Sequence, residues 1–351
     1  MSRMGDSSHL GRWTAWLRQR EVQLAFILVA LVALIGLRAP VFLSAKSLDS
    51  LLTDSAILVM MVLAQMLVIL TRGIDLSVAA NLALCGMVSA LLGKNFPGLP
   101  LPLVVTAAMA CGLALGAING ALIGFLKLPP IVVTLGSMSV FRGSIFVLSS
   151  GAWVSSHQMT PSFIGFPLER LLGLTHLVWF AVAAALLAWH LTRNTRFGRE
   201  LYAIGNEPVS ARYVGVPMAR RLFSVYAISG MVAGLCGYLW VARYAVAFTE
   251  IANGFELSVI AACVIGGISI AGGVGSVLGA VLGAMLLGVI ANALPVVQVS
   301  PFWQSAITGT VIVVAVVLNA REGKRAGKQI LLRRESRIEA APVQTVREVQ
   351  A

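Results

Sequence analysis

Two short segments place a carboxylate between long apolar runs. Residues 73–78 read Gly-Ile-Asp-Leu-Ser-Val and residues 254–259 read Gly-Phe-Glu-Leu-Ser-Val, so Asp75 and Glu256 occupy the same position of a repeated pattern. A carboxylate at membrane depth is costly, which favours a role in a pathway for a polar solute. Free backbone N–H groups at the start of a helix also stabilise a carboxylate, and this second explanation is compatible with the first.

Other polar side chains interrupt the apolar runs and extend this candidate pathway. Hydroxyl and amide groups without paired carboxylates suit an uncharged polar solute, although ordinary hydrogen bonding between helices explains each of them singly. An unpaired guanidinium is costlier, so we expect Arg142 in the outer half of its helix, close enough to reach the membrane surface. The predicted pathway residues are Asp75, Asn81, Asn119, Thr134, Ser137, Arg142 and Glu256.

The sequence offers no catalytic or metal-binding pattern. Its four histidines lack an H-E-x-x-H or comparable context, and no nucleophile–base arrangement occurs. Its four cysteines lie inside apolar runs without metal-ligand spacing, which is typical of small core residues. No G-x-x-x-x-G-K-S/T pattern is present, so the sequence predicts no P-loop ATPase of its own. We therefore expect neither an enzyme nor a cofactor or metal site.

The elements that hold these residues are predicted to be membrane-spanning helices. The 351-residue chain is 58% hydrophobic and only 11% charged, and its apolar runs are long enough to cross a bilayer. The predicted fold is an all-α polytopic membrane protein with about ten transmembrane helices. The predicted spans are 22–38, 55–71, 74–92, 101–125, 131–149, 171–191, 222–242, 257–271, 274–294 and 302–319.

The basic residues predict the orientation of these spans. Clusters of Arg and Lys lie in segment 192–221 and in the tail, and the positive-inside rule places both in the cytoplasm. This requires the short, glycine-containing span 257–271 to cross the membrane, and both termini are then cytoplasmic. The predicted domains are a cytoplasmic segment 1–21, a transmembrane permease domain 22–320 and a basic cytoplasmic tail 321–351.

The net charge of +12 therefore lies at the flanks of the spans. It predicts contact with membrane lipid and no binding of nucleic acid, and the tail is expected either to be disordered or to form a loose helix on the inner leaflet. Asp75 falls at the inner end of its predicted span and Glu256 at the outer end of its own. The two hexapeptides thus favour an internal repeat of inverted topology.

The longest predicted internal loop contains a short capped helix. Asn206 is a suitable N-cap, Pro208 fits the first turn, and Gly215 followed by Pro217 ends the helix. A two-turn helix is not stable alone in water. It therefore needs a docking surface, which is either the membrane core of this protein or another subunit.

Glycines at positions 275, 279 and 283 share one helix face, where a second helix can approach closely. Such a face is fully explained by helix packing. The second helix can belong to this chain or to the partner of a permease dimer.

Motifs spread over residues 20–320 occur in a fixed order. They are Arg-Gly-Ile-Asp-Leu-Ser-Val at 72–78, Leu-Pro-Pro-Ile-Val-Val-Thr-Leu-Gly at 128–136, Arg-Gly at 142–143, Arg-Phe-Gly at 196–198, Gly-Asn at 205–206, Ala-Cys-Val-Ile-Gly-Gly at 262–267, Ala-Gly-Gly-Val-Gly-Ser at 271–276 and Phe-Trp-Gln at 302–304. This ordered set resembles the permease subunits of bacterial ABC importers of the monosaccharide class, the ribose, xylose, arabinose, rhamnose and autoinducer group. The chain departs from that family at Arg72 and Ala79, where the family often has glycine.

The resemblance implies an assembly with a second permease copy or paralogue, two cytoplasmic ATP-binding subunits and a periplasmic solute-binding protein. It also implies that the internal-loop helix docks on the ATPase, and the ATPase-coupling residues are then Gly205, Asn206, Glu207, Ala211, Arg212 and Gly215. We therefore predict the membrane subunit of an ATP-driven importer in the bacterial inner membrane, which moves a monosaccharide-like solute by alternating access. The alternative is a stand-alone secondary transporter, which the position of the acids at span ends disfavours.

Overall fold

The computed structural model describes residues 20–296 and, beyond them, the helical positions Trp303, Ala306, Gly309, Thr310 and Val313. The described part consists almost entirely of helices, which confirms the predicted all-α fold. In chain order the helices are α1 Arg20–Arg38, α2 Ala45–Leu70, α3 Val78–Asn95, α4 Leu101–Gly124, α5 Pro130–Ser149, α6 Pro161–Gly165, α7 His176–Asn194, α8 Arg196–Asn206, α9 Pro208–Tyr213, α10 Met218–Tyr244, α11 Phe255–Ile265 and α12 Val277–Val296.

Eight of the described helices are long and apolar enough to cross a membrane. They are α1 to α5, α7, α10 and α12. Helix α2 forms the centre of the bundle, since 89% of its most apolar stretch is buried, whereas α1 lies at the edge with 11% buried. A helix that is apolar on every side is expected in such a central position. The predicted polytopic membrane protein is therefore confirmed.

Helices α4 and α10 pack along a line of glycines. Side chains at positions 112, 116, 120 and 124 of α4 would collide with the backbone of α10, and glycines 230 and 234 of α10 are equally close to α4. The four-residue spacing keeps these glycines on one face of each helix. The predicted glycine face exists at Gly279 and Gly283 of α12, which approach the backbone around Gly266 within the same chain, whereas Gly275 lies before the start of α12.

The chain crosses the bundle between α10 and α12 by a broken element. Helix α11 begins at Phe255, whose ring packs 5.0 Å from that of Trp240 near the end of α10. At the other end of the bundle, the N–H of Gly273 donates a 3.0 Å hydrogen bond to Leu70 at the end of α2. Eleven helical residues span only about 16 Å, so the partly buried glycine-rich stretch 266–276 completes the passage. The predicted span 257–271 is thus a short helix followed by an irregular segment.

Short strands and turns connect the helices at the end of the bundle that lies away from α8 and α9. Strand β1, Val154–Ser155, pairs antiparallel with β4, Val246–Ala247, and β2, Arg170–Leu171, pairs with β3, Leu174–Thr175. The first pair holds the loop around α6, which was predicted as an external loop over 150–170, against the end of α10, whereas the second pair is a local hairpin.

Several predicted boundaries move in the structure. Helix α2 begins at Ala45 instead of residue 55, and α7 begins at His176 because the predicted residues 171–175 form a hairpin. Helix α3 begins at Val78, four residues after the predicted start of its span. Segment 1–19 and the tail 321–351 lie outside the described residues, as does most of the predicted span 302–319.

Candidate solute pathway and coupling segment

Four of the predicted pathway residues, Asp75, Asn119, Thr134 and Ser137, meet at the start of α3. Together with Ser77, which was not predicted, they form a hydrogen-bonded group that we call the buried polar cluster. Oδ1 of Asp75 accepts hydrogen bonds of 2.9 Å from the backbone N–H of Ser77 and of 2.6 Å from its hydroxyl. Asn119 on α4 donates a 2.9 Å bond to Ser77 Oγ and accepts one from Ser137 on α5. The cluster therefore joins α3, α4 and α5.

Thr134, the fifth member of the cluster, lies on α5 and contacts the segment before α3. The hydroxyl of Thr134 has its 2.9 Å partner in the Pro130 carbonyl and lies 3.3 Å from the Ile74 carbonyl oxygen. Asp75, Asn119 and Thr134 are buried, with exposed fractions of 2%, 0% and 0%. A buried carboxylate needs such partners because water cannot solvate it there.

The local role of Asp75 differs from the prediction. We expected Asp75 to begin a helix, but it lies three residues before Val78, the first residue of α3. Its carboxylate bonds the N–H two residues further on, which is an Asx-turn and competes with helix formation at that position. Glu256, by contrast, lies within the first turn of α11. The two hexapeptides therefore have different local structures.

Two other predicted pathway residues lie at the opposite end of the bundle. Arg142 on α5 donates hydrogen bonds to the backbone carbonyls of Thr249 and Ile251, at 3.3 and 2.7 Å. These carbonyls belong to the turn between β4 and α11, the helix that carries Glu256. The guanidinium is half-buried and holds this turn against α5. Asp75 and Glu256 thus lie at opposite ends, as predicted.

Asn81 is separate from both groups. Its amide nitrogen lies 3.4 Å from the Gly112 carbonyl of α4, and its oxygen accepts a 3.2 Å hydrogen bond from the thiol of Cys85. The described structure therefore supports the packing role of this side chain between α3 and α4. Its predicted place in a solute pathway stays a prediction.

Helices α8 and α9 form the internal loop, and their boundary corrects the predicted cap. Asn206 is the last residue of α8, and Glu207 takes the N-cap position of α9 without a side-chain hydrogen bond. The cause is the buried side of α8, where Leu201 and Ile204 continue the helix as far as Asn206. Pro208 lies in the first turn of α9, as predicted.

Helix α9 presents its side chains outward. Tyr213, Val214 and Val209 have exposed fractions of 88%, 78% and 60%, whereas Ala211 is buried against the body of the molecule. Glu207, Arg212 and Gly215 are exposed as well. The membrane core of this protein, one of the two docking surfaces considered for this helix, therefore covers only the side that carries Ala211.

Gly205 lies inside a tight junction of three segments. A side chain at this position would collide with the Leu70 carbonyl of α2 and with the backbone of Gly273. Gly273 itself has a φ of 72°, a left-handed conformation that favours glycine. The end of α8, the end of α2 and the glycine-rich stretch 266–276 therefore meet in direct backbone contact.

Arg72 strengthens this junction, and its role was not predicted. Its guanidinium donates hydrogen bonds of 2.7 and 2.8 Å to the carbonyls of Gly205 and Asn206, the last residues of α8. A cation at a helix C-terminus satisfies free carbonyls and interacts favourably with the helix dipole. Arg72 is three residues from Asp75, so the short segment 72–77 connects α8 with the buried polar cluster.

A buried carboxylate holds the other end of α8. Glu200 accepts hydrogen bonds from Arg196 on its own helix, at 2.7 Å, and from Arg221 on α10. The hydrogen bond from Arg221 and, to a smaller degree, that from Arg196 keep the pKa of Glu200 below its ordinary value, against the opposing effect of burial. The spacing of Arg196 and Glu200 was a readable signal for a helical pair, but the contribution of Arg221 is non-local.

This arrangement defines a polytopic helical membrane protein with a buried polar cluster at one end and exposed loop helices beside it. Among the described residues no group of three or more His, Cys, Asp or Glu side chains could hold a metal ion. A family model described as a permease component of the branched-chain amino acid transport system matches residues 47–316. The chain therefore belongs to this family of transport permeases.

Curated relatives define the branch of the family. The D-allose transport system permease protein of Escherichia coli is 36% identical over 298 residues, 84% of this chain and 90% of that protein. The ribose import permease protein of the same species is 34% identical over 88% of this chain and 95% of its own. The autoinducer 2 import system permease protein of Shigella flexneri is 34% identical over 86% of this chain and 87% of its own. No solved structure matches.

These comparisons confirm the resemblance to permease subunits of the monosaccharide class of ABC importers. The chain is the membrane-spanning subunit of an importer of that type, and the relatives named above are transport permeases. The similarity covers most of this chain and most of each relative. The family model spans residues 47–316, which include the buried polar cluster and the loop helices.

Proposed function

We propose that the chain carries a monosaccharide-like polar solute into the bacterial cell by alternating access, driven by a separate ATP-binding subunit. The observation that carries this proposal is the similarity, over 84% or more of the chain, to permeases named for allose, ribose and autoinducer 2. The family description names amino acids instead, so the solute class rests on these relatives. The polar side chains of the pathway are mostly neutral, which suits an uncharged solute.

The energy for transport enters through residues 205–215, which we call the coupling segment. Its exposed members are Asn206, Glu207, Arg212 and Gly215, and the outward side of α9 carries Tyr213 and Val214. An exposed six-residue helix with bulky apolar side chains is the kind of surface that a partner protein covers. We infer that the ATP-binding subunit docks here, while Gly205 and Ala211 anchor the segment to the membrane core.

The proposed assembly contains a second permease, either identical or a paralogue, two ATP-binding subunits and a periplasmic solute-binding protein. The chain lies in the inner membrane with both termini in the cytoplasm, because the basic segments 192–221 and 321–351 then follow the positive-inside rule. Asp75, Asn119, Thr134 and Ser137 line the cytoplasmic part of the pathway. Asn81, Arg142 and Glu256 lie further towards the opposite face.

The coupling segment is tested by charge reversal. The double variant Glu207→Lys and Arg212→Glu is expected to lower ATP-dependent sugar uptake by at least tenfold in vesicles that contain all subunits, because the docking surface for the ATPase is altered while the net charge is kept. The control is Arg220→Glu, an exposed charge at the start of α10 outside the segment. Uptake at the wild-type rate in the double variant would contradict the proposal.

The energy source is tested separately in the same vesicles. We expect uptake of radiolabelled ribose, allose or galactose to stop when ATP is withdrawn and to continue when ion gradients are dissipated. The reverse result would favour the secondary transporter, which was the alternative from sequence.

A further inference from the structure

Two adjoining cavities lie at the end of the bundle that is remote from the coupling segment. The smaller has a volume of about 300 Å³ and lies between α2, α10, α11 and α12. The larger, of about 630 Å³, adjoins it beside the turn between β4 and α11. Trp240, Tyr244, Phe255 and Ser258 line both cavities and form their common wall. Both volumes fall in the range of small-molecule sites, about 300–1,000 Å³.

The wall of these cavities combines aromatic rings with neutral polar groups. The Trp240 ring lies 5.2 Å from that of Tyr244 and 5.0 Å from that of Phe255. Ser258 and Asn292 add a hydroxyl and an amide to the smaller cavity. The Asn292 amide nitrogen donates to the Gly288 carbonyl at 3.0 Å, which leaves its oxygen as an acceptor.

Ser55 on α2 is one of the residues that line the smaller cavity, and its hydroxyl lies beside Gly288 of α12. Its side chain is 1% exposed, and its Oγ has no hydrogen-bond partner among the described residues. Gly288 on α12 leaves the space for it, because a Cβ at that position would collide with the Ser55 hydroxyl. A buried hydroxyl without a partner is costly in a packed core. It is explained if a bound molecule provides the partner.

The charges around the smaller cavity select an uncharged molecule. Asp54 is its one carboxylate among the described lining residues, and Arg243 donates to Asp54 Oδ1 from both Nε and Nη2, at 3.1 and 2.8 Å. The ion pair leaves the wall close to neutral, while Oδ2 remains an acceptor. Neutral hydroxyl, amide and aromatic groups match the two faces of a polyhydroxylated ring, whose C–H groups pack on aromatic rings and whose hydroxyls both donate and accept.

We infer that this aromatic cavity pair is a binding site for an uncharged monosaccharide, with Trp240 as the packing surface and Ser55 as a hydrogen-bonding residue. The inference rests on the proposed function for the chemical class of the solute. On this inference the solute first binds far from the buried polar cluster, at the end of the bundle where a periplasmic partner would deliver it. The site is distinct from the pathway residues predicted from the sequence.

The test measures binding of radiolabelled ribose, allose and galactose to the full-length permease in lipid nanodiscs without the other subunits. We expect saturable binding of at least one sugar, and we expect Ser55→Ala to weaken it about three- to tenfold through the loss of one hydrogen bond. The matched control is Ser144→Ala on α5, a serine whose hydroxyl bonds only its own helix, at 2.8 Å to Val140. Thermal unfolding of both variants reports whether they fold.

A second variant tests the inference independently of the serine. Trp240→Phe retains an aromatic core residue but removes packing area, and it should weaken binding of the same sugar, whereas Trp179→Phe outside the cavities should not. Two results would overturn the inference and show the cavities to be packing voids. One is the absence of sugar binding by the wild type, and the other is binding by Ser55→Ala and Trp240→Phe that is as tight as that of the wild type. ATP-driven uptake in the complete complex would still stand in that case. Binding without ATP-dependent uptake would instead contradict the proposed function alone.

Discussion

At the scale of single residues, the junction at the end of α8 depends on positions where a side chain either cannot fit or is held at a cost. Gly205 is in direct backbone contact with Leu70 and Gly273, which leaves no space for a Cβ. Arg72 has a φ of 65°, a left-handed conformation that costs a non-glycine residue on the order of 1 kcal/mol or more. The guanidinium of Arg72 offsets this cost through its two hydrogen bonds to α8.

Gly205→Ala should destabilise the folded protein by about 1–3 kcal/mol, because the added methyl group forces α8 away from α2. Thermal unfolding in detergent or nanodiscs measures this. Gly143→Ala is the control: nothing lies within 4 Å of a Cβ at that position of α5, so the change is expected to be neutral or stabilising. Equal effects of the two variants would contradict the described junction.

The cost at Arg72 can be separated from its hydrogen bonds. Arg72→Ala and Arg72→Gly both remove the guanidinium, but only alanine retains the backbone strain. We expect the glycine variant to be more stable than the alanine variant by about 1 kcal/mol. Chemical denaturation of the two variants under one set of conditions gives the difference, and a more stable alanine variant would show that the backbone at Arg72 is not left-handed.

At the scale of elements, α8 is held at both ends: Glu200 pairs with Arg221 near its start and Arg72 binds its last carbonyls. The pKa of Glu200 is lowered in the folded state by its hydrogen bond from Arg221. A lowered carboxyl pKa stabilises the fold above the ordinary pKa, and this contribution is lost as the pH falls through the lowered value. The attachment of α8 to α10 is therefore sensitive to acid.

We expect the folded protein to lose stability as the pH falls below the ordinary glutamate value of 4.5, and part of this loss to disappear in Glu200→Gln. The variant should be less stable than the wild type at neutral pH, since Arg221 then lacks its anionic partner, and the two should converge in acid. Unfolding temperatures measured across the pH range test this. A constant difference between variant and wild type at every pH would contradict the role of the charge.

The sequence predicted long helices and short ones with different success, for physical reasons. Apolar runs identify the spans because the membrane requires them. Helix α9 was predictable from Pro208 and Gly215, but its N-cap was wrongly assigned to Asn206. The end of α8 depends on contacts of its buried side with α2 and α10, and these contacts cannot be read from the local sequence. The short, glycine-containing span 257–271 was predicted to cross the membrane from the distribution of basic residues, but the end of α11 at Ile265 was not predicted.

The candidate site was predictable in residue type more than in arrangement. Asp75, Asn119, Thr134 and Ser137 were recognised as polar residues in apolar surroundings, and the structure brings them together. Hydrogen bonds through Ser77 and to the Ile74 carbonyl join α3, α4 and α5, and nothing in the local sequence predicts the register of three helices. The aromatic cavity pair was missed because Trp240 and Ser55 look like ordinary members of apolar helices.

At the scale of the whole molecule, the two ends of the bundle differ. Polar side chains of the buried polar cluster bond each other at the end that carries the coupling segment, and they leave little exposed area. The opposite end contains the aromatic cavity pair. Cavities of about 900 and 580 Å³ also lie at the end that carries the coupling segment, beside Tyr202 and beside Arg212, so the two ends differ in the lining of their cavities and not in the presence of one.

This difference predicts a pattern of chemical labelling. In membranes without nucleotide, a membrane-impermeant maleimide added outside should react with Ser258→Cys, which lines both cavities, and from neither side with Ser77→Cys. The native chain is the control: Cys85, Cys236 and Cys263 are buried, and labelling of the half-buried Cys111 gives the background to be subtracted. Labelling of Ser77→Cys from inside, without labelling of Ser258→Cys from outside, would contradict this expectation and show that the end that carries the coupling segment is the accessible one.

The glycine line between α4 and α10 has a mechanical consequence. Two helices in direct backbone contact cannot slide or tilt against each other without a collision, so they should move as one rigid body while the surrounding helices rearrange. The carbonyl of Tyr226 on α10 limits the space at Gly116, and the hydroxyl of the same tyrosine limits the space at Gly73, two residues from Asp75. A single tyrosine therefore contacts both this helix pair and the segment that leads to the buried carboxylate, so we expect a displacement of the pair to shift the segment that carries Asp75.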